Sequence, residues 1–322
     1  MSAVIARSAV APLHAEPSLR SEQVTQLVLG ETATVLATDG LWHRVRLSGD
    51  GYEGWLHRGY AVECDDDAAA RWRAEATGWS EGAEIDTASG RRRLPVRARA
   101  VLEHGRVRLP DGSVGSLHSG HILPLEEVVR AALTVSAEQW AERTFAGVRY
   151  EWGGVTDFGV DCSGLVQTTF AARGVSLPRD AAQQARIGVE VAHESIRPGD
   201  LLFFSDYGQG VTHVAFFAAG DSLTHSTVAC GGVLTEPWTA GHRAAQLRPL
   251  LVTARRIPGA AASSCRASSF SLIPTAPFSS RPAPGAVPSP ARWRIGWGTA
   301  RPGNRSPSTA RPTRRSCANC SR

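Results

Sequence analysis

The feature that most constrains this chain is a change of pattern between residues 150 and 172. Gly153, Gly154 and Gly159 interrupt any regular element, and after them Leu165, Val166, Phe170, Ala171 and Ala172 recur at helical spacing. The pattern predicts a helix opening at Asp161-Cys162-Ser163-Gly164, which sets one thiol at a helix mouth. There the unpaired N–H groups and the helix dipole favour an anion, so the thiol pKa is expected to fall below its free value of about 8.5. A small buried hydrophobe is the alternative for the same cysteine, and partners elsewhere must decide.

A thiol nucleophile needs a base to ionise it and a third group to hold the base. His213 opens an apolar stretch after Gly208-Gln209-Gly210, and His225 follows across a Gly220-Asp221 turn. Their even separation, with an odd connecting loop, would put both imidazoles on one face of an antiparallel pair. With Cys162 on a facing helix this is a Cys–His–His arrangement: thiolate, imidazolium partner, orienting imidazole. Zinc could use the same three side chains with a fourth ligand or water, but a helix-mouth thiol favours nucleophilic use.

Charge is unevenly spread. All 30 acidic residues lie at or before Glu236, lysine is absent, and 10 of the 35 arginines follow Arg256 in a Ser-, Pro-, Ala- and Arg-rich segment. Up to Arg256 there are 25 arginines against 30 acids, a net −5, so the overall +5 belongs to the end of the chain and argues for no nucleic-acid partner. Residues 258–322 read as a disordered tail, and the abrupt change of composition also fits a shifted reading frame. Cys317 and Cys320 lack the second pair of a zinc site. Cys64, Cys162 and Cys230 are too widely spaced for a disulfide framework, and Cys230, with no base near it, reads as structural. The apolar patches Val4-Ile5-Ala6 and Ala9-Val10-Ala11 are too short for a signal-peptide core, and no segment has membrane-span length. A cytoplasmic protein with no membrane partner is expected.

Residues 1–66 read as a small all-β unit, with strands at 26–29, 32–36, 42–47 and 52–56 divided by Asp39-Gly40 and Gly49-Asp50-Gly51 turns. Trp42, Val45, Leu47 and Trp55 are its candidate core. Residues 67–125 read as a divergent second copy, with strands at 91–101, 105–109 and 113–117 and with Arg91-Arg92-Arg93 as a solvated turn. From 126 to 257 the order is helices first, at 126–132 and 136–144, with Ser136 and Gln139 spaced as a capping box, and then strands at 201–204, 213–218, 223–228 and 250–252. That is an α+β plan.

The motifs Tyr150-x-Trp152-Gly153-Gly154, Asp161-Cys162-Ser163-Gly164-Leu165-Val166, Leu177-Pro178-Arg179, Pro198-Gly199-Asp200-Leu201, His213-Val214 and His225-Ser226 resemble the NlpC/p60 family of papain-like cell-wall cysteine peptidases, over about residues 135–257. Gly30-Glu31 with Tyr52-Glu53-Gly54-Trp55 resembles bacterial SH3-like domains. The resemblance implies a papain-like α+β catalytic domain preceded by two small all-β SH3-like barrels, with no cofactor or metal. It implies Cys162 as nucleophile, His213 as base, His225 as the third polar residue, Tyr150 near the oxyanion, and Asp161, Ser163 and Arg179 against the peptide. Ala181 stands where relatives often carry serine, so one substrate hydrogen bond is missing. The layout resembles the branch that cuts between γ-D-glutamate and the diamino acid of murein peptides with a free N-terminal L-alanine, in cell-wall recycling. Holding that ammonium requires a closed cleft end with an acidic or aromatic group, for which Glu22 and Tyr52 are candidates. The alternatives are an acyl or amide transferase on the same thiol and a non-catalytic wall-binding module.

Overall fold

The computed structural model describes residues 2–206, 208 and 210–258; the expected tail with Cys317 and Cys320 lies outside them. Seven strands form the first sheet: β1 (Ser2–Ala6), β2 (Val10–His14), β3 (Gln23–Val28), β4 (Thr32–Asp39), β5 (Trp42–Leu47), β6 (Glu53–His57) and β7 (Ala61–Asp65). Their order is β3-β2-β6-β5-β4-β1-β7, antiparallel throughout. The two N-terminal apolar patches thus become strands, and Val4, Ala11, Leu13, Leu27, Val45 and Leu56 close one core. Trp42 and Trp55 are only half-buried, contrary to expectation. Trp42 stands on the outer face, edge-on to His14 and His57.

An unforeseen helix, α1 (Asp66–Glu75), follows; the Asp65 carboxylate caps it by accepting from the Ala68 N–H at 2.7 Å. Its buried Trp72 donates Nε1–H to the Gly30 carbonyl at 2.7 Å and so pins the helix to the first barrel.

The second sheet runs β10-β9-β13-β12-β11-β8-β14, from β8 (Gly78–Ser80), β9 (Ala83–Thr87), β10 (Gly90–Leu94), β11 (Arg99–Glu103), β12 (Arg106–Arg108), β13 (Val114–Ser119) and β14 (Ile122–Pro124). The single strand expected at 91–101 is broken in two, because Pro95 has no N–H for a ladder and Arg97 takes a left-handed φ of 83°. Arg91, Arg92 and Arg93 belong to β10 rather than to a turn, each paired with a carboxylate, of Asp86, Asp111 and Asp157. The left-handed turn sends the buried Arg97 guanidinium to Glu31 of the first barrel (2.6 Å) and to Gln167 (3.0 Å) in the third part of the chain.

That third part comprises α2 (Leu125–Ala132), α3 (Ala137–Phe145), β15 (Val155–Thr156), β16 (Gly159–Val160), α4 (Cys162–Ala171), α5 (Ala181–Gln184), β17 (Val189–Glu190), β18 (Leu201–Phe204), β19 (His213–Ala218), β20 (Ser222–Thr227), β21 (Gly232–Pro237) and β22 (Leu251–Arg256). Ser136 stands at the N-cap of α3 but turns its hydroxyl to Glu138, so the capping box with Gln139 does not form. The main sheet is β17-β22-β18-β19-β20-β21, with β15 and β16 as a separate hairpin. α4 is buried from Ser163 to Phe170, and its Leu165, Val166 and Phe170 share a core with Phe203, Val214 and Phe216. A helix sunk in this way holds its first residue against the end of β19. Among the described residues no helix is long and apolar enough to cross a membrane.

Candidate active site

Asp161 is the N-cap of α4, and its carboxylate organises the helix mouth. Oδ1 accepts from the Gly164 N–H (2.7 Å) and Oδ2 from the Gly153 N–H (2.9 Å), so one side chain ties the glycine turn to the helix. Both glycines are required. Gly153 has φ +75°, and a Cβ at Gly164 would stand 2.1 Å from the Gly154 carbonyl oxygen. Arg179, 2% exposed, grips both carboxylate oxygens at 3.1 and 2.6 Å and donates to Ser163 Oγ at 2.7 Å. Its Nε–H reaches Thr25 of the first barrel at 2.9 Å. Asp161, Ser163 and Arg179 are thus buried and engaged with one another behind the thiol.

Cys162 opens α4, partly buried. Val214, the residue after His213 on β19, donates its backbone N–H to the Cys162 sulfur. The thiol pKa is shifted opposite to the helix-mouth expectation. Burial and the neighbouring Asp161 carboxylate push it up to about 12, against the opposing effect of the Val214 and Ser163 N–H groups and of Arg179. His213 is pushed the other way, down to about 3, by burial and by the charges of His225 and Arg243. Burial thus pushes both groups toward their neutral forms.

The two histidines share a face as the strand parity requires: β19 and β20 pair Phe216 with Thr224 and Ala218 with Ser222 across a three-residue loop. His213 Nε2 and His225 Nδ1 lie 2.8 Å apart, and the buried His225 places its Nε2 2.8 Å from Glu236 Oε1 on β21. Arg243, at the start of the short 3-10 helix 243–250, donates to the same carboxylate. Burial raises the Glu236 pKa, but the His225 hydrogen bond and the Arg243 charge outweigh it and hold it below the usual carboxylate range. Glu236 and Arg243 were not singled out from the sequence, and β21 was not anticipated. The available signal was the apolar stretch after Gly231-Gly232, which places Glu236 diagonally across from His225 on the same face of the hairpin.

Around the thiol, the Tyr150 phenol is held protonated, its pKa raised by burial and by nearby Cys162 and Asp161. From the first barrel, the half-buried Tyr52 hydroxyl hydrogen-bonds the Asp180 carboxylate, whose pKa burial raises. Exposed Glu22 accepts from Trp152 Nε1–H at 2.8 Å. Gln23 donates to the Trp152 carbonyl at 2.7 Å and Gln26 to Glu151 at 3.0 Å. Strand β3 and the loop before it therefore pack directly on the segment that leads to Cys162. Cys230 is exposed rather than part of the core.

The NlpC/P60 family matches residues 147–247 and the bacterial dipeptidyl-peptidase Sh3 domain matches residues 13–59. A gamma-D-glutamyl-L-lysine dipeptidyl-peptidase of Bacillus cereus is 30% identical over 225 residues, 63% of this chain and 66% of that protein. The enzyme of the same description from Bacillus subtilis is 30% identical over 230 residues, 63% of this chain and 71% of that protein. The crystal structure of an NlpC/P60 family protein from Bacillus cereus superposes with a TM-score of 0.65 at 24% identity, covering 79% of this chain and 99% of that one, which shows the shared fold. With a thiol at a buried helix mouth, a histidine pair on the facing strands, the family match over residues 147–247 and a peptidase relative 30% identical and covered over 71% of its length, the chain belongs to the NlpC/P60 family of peptidases.

Proposed function

We propose that the chain is a cysteine endopeptidase that hydrolyses the bond between γ-D-glutamate and a diamino acid in murein peptides bearing a free N-terminal L-alanine, and that it recycles turned-over wall peptides in the cytoplasm. The observation that supports the specificity is that the first barrel sets polar groups suited to an ammonium against the segments flanking Cys162. They are the Tyr52 hydroxyl on the Asp180 carboxylate and Glu22 on the Trp152 indole. Two Bacillus relatives 30% identical to this chain are named for γ-D-glutamyl-L-lysine cleavage, and the Sh3 family that matches residues 13–59 is described as that of bacterial dipeptidyl-peptidases.

In the reaction, Cys162 gives its proton to His213 as the sulfur attacks the γ-glutamyl carbonyl carbon. Thiolate and imidazolium form together as an ion pair during the attack, each stabilising the other's charge. The Tyr150 phenol, held protonated, donates toward the oxyanion. Collapse of the tetrahedral intermediate expels the diamino-acid amine, which takes the proton from His213 and leaves a thioester on Cys162. His213 then deprotonates water, whose attack on the thioester releases the L-alanyl-γ-D-glutamate acid and returns the proton to the sulfur. Asp161, Arg179 and Ser163 hold the helix mouth in place throughout.

The test is hydrolysis of L-Ala-γ-D-Glu-L-Lys and of its meso-diaminopimelate counterpart, each with a free and with an acetylated N-terminus. Cleavage at the γ-D-Glu bond with a loss of kcat/KM of at least about a hundredfold on acetylation is expected from removing a charge-assisted contact. Equal rates on free and acetylated peptides would remove the ammonium pocket and the recycling role with it.

A further inference from the structure

Beyond the cysteine and two histidines, Glu236 ends a line of hydrogen-bonding groups that runs from His213, the neighbour of Val214 whose N–H meets the thiol, through His225. An ionised carboxylate can only accept a hydrogen bond, so His225 must carry its proton on Nε2. His225 Nδ1 is then bare and must accept, which requires His213 to carry its proton on Nε2. That leaves the His213 Nδ1 lone pair as the one ring nitrogen able to take a proton from Cys162. With the opposite tautomer at His225, its Nδ1–H would face His213 Nε2, and the proton on His213 would move to Nδ1, where it blocks the transfer. Both tautomers fit imidazole chemistry equally well, and the carboxylate breaks the tie.

The geometry points to Glu236, clamped by Arg243, as a positioning residue that fixes the tautomer and orientation of the His225–His213 pair and supplies the negative charge that stabilises the imidazolium. This deepens the assignment of Cys162 as the peptidase nucleophile and rests on it. Among the described residues, the Arg243 charge acts on His213 and the Glu236 carboxylate pairs with His225, with opposite signs. Arg243 disfavours charge on His213 but is partly solvent-exposed, whereas Glu236 is largely buried against His225. Deletion of the carboxylate therefore leaves the cation unopposed as well as the tautomer unspecified.

The experiment compares the full chain with Glu236→Gln and Glu236→Asp, with folding checked by far-UV circular dichroism. The first readout needs no peptide: the rate at which iodoacetamide alkylates Cys162 between pH 6 and 9, followed on the Cys162 peptide by mass spectrometry so that the other cysteines do not interfere. Glu236→Gln is expected to alkylate about tenfold more slowly at each pH, a displacement of about one pH unit to the alkaline side, and Glu236→Asp to recover part of the loss. The second readout is hydrolysis of the γ-D-glutamyl peptide, where kcat falls by at least about tenfold while KM stays within about twofold, because Glu236 is not in the substrate pocket. Alkylation within twofold of the wild type, or a change confined to KM, would overturn the proposal. A wrong substrate assignment would show separately, as absent turnover in the wild type with the alkylation difference intact. Should Glu236→Gln not fold, long-range 15N–1H correlation on the wild-type imidazoles decides the matter: both rings carrying Nε2–H is the expected result, and Nδ1–H on either ring refutes it.

Discussion

Replacing Arg179 by methionine should destabilise the whole chain through one side chain that never meets solvent. The guanidinium makes two bonds to the Asp161 carboxylate, one to Ser163 Oγ and one to Thr25 Oγ1, all at 3.1 Å or less. Methionine fills much of the same volume, so little of the loss comes from a cavity. What remains is a buried carboxylate deprived of its counter-charge, and removal of one partner of a buried pair typically costs about 3–5 kcal/mol. The two N–H groups of Gly153 and Gly164 still solvate Asp161, which puts the expectation near the lower end, about 3 kcal/mol. For a folded part of this size each kcal/mol shifts Tm by roughly 2–4 °C, so thermal unfolding followed by circular dichroism should show a fall of about 6–12 °C. Arg179→Lys keeps the charge and loses the bidentate fork and the reach to Thr25, and should fall about half as far. Thr25→Val on the first barrel should also lower Tm, by about 1–2 kcal/mol, because Nε–H is left buried without an acceptor. An Arg179→Met protein within about 1 kcal/mol of the wild type would refute the reasoning, since the knot behind the thiol would then be dispensable.

Cys162→Ala should abolish hydrolysis of the γ-D-glutamyl peptide while leaving Tm within a few degrees; measurable turnover would remove the cysteine from the reaction. His213, whose folded pKa of about 3 lies below its ordinary 6.5, binds a proton in the unfolded chain that the folded chain refuses, so stability should fall as pH drops through 6.5 toward 3. His213→Gln should flatten urea-measured stability across that window, and an unchanged slope would contradict the burial of the ring. Cys162 acts at the other end. Its pKa, raised to about 12, keeps a proton in the folded chain that the unfolded thiol has lost, so stability should decline above about pH 9, less so in Cys162→Ala. Glu22→Gln should raise KM for the free-amine peptide several-fold and leave the acetylated peptide unaffected, a contrast that steady-state kinetics reads directly.

The parts of the fold legible in the sequence were those written in local spacing. Leu165, Val166 and Phe170 mark α4 by their period, and the glycines before Asp161 mark its start, so the thiol's place followed from a single stretch of chain. His213 and His225 could be matched because parity across one short turn is itself a local property. The second sheet was harder, since the break between β10 and β11 rests on Pro95 and on a left-handed Arg97 stabilised by partners far away in sequence. Trp42 and Trp55 misled for a related reason: size and hydrophobicity favour burial, but strand register put them on the outer side of the first sheet.

A helix mouth favours an anionic thiol through the dipole and the free N–H groups, which are local, but desolvation and the cap itself act on the same sulfur. The same Asp161 that starts the helix places a carboxylate next to the sulfur, and the close packing of α4 on β19 removes water from it. Both effects raise the pKa, and together they exceed what a helix terminus contributes, typically below about 2 kcal/mol. A thiol whose pKa is raised in this way relies on a base to take its proton, and under the proposed mechanism the carboxylate at the far end of the histidine pair, which sets the tautomer of that base, then bears on reactivity more directly than the dipole at the near end.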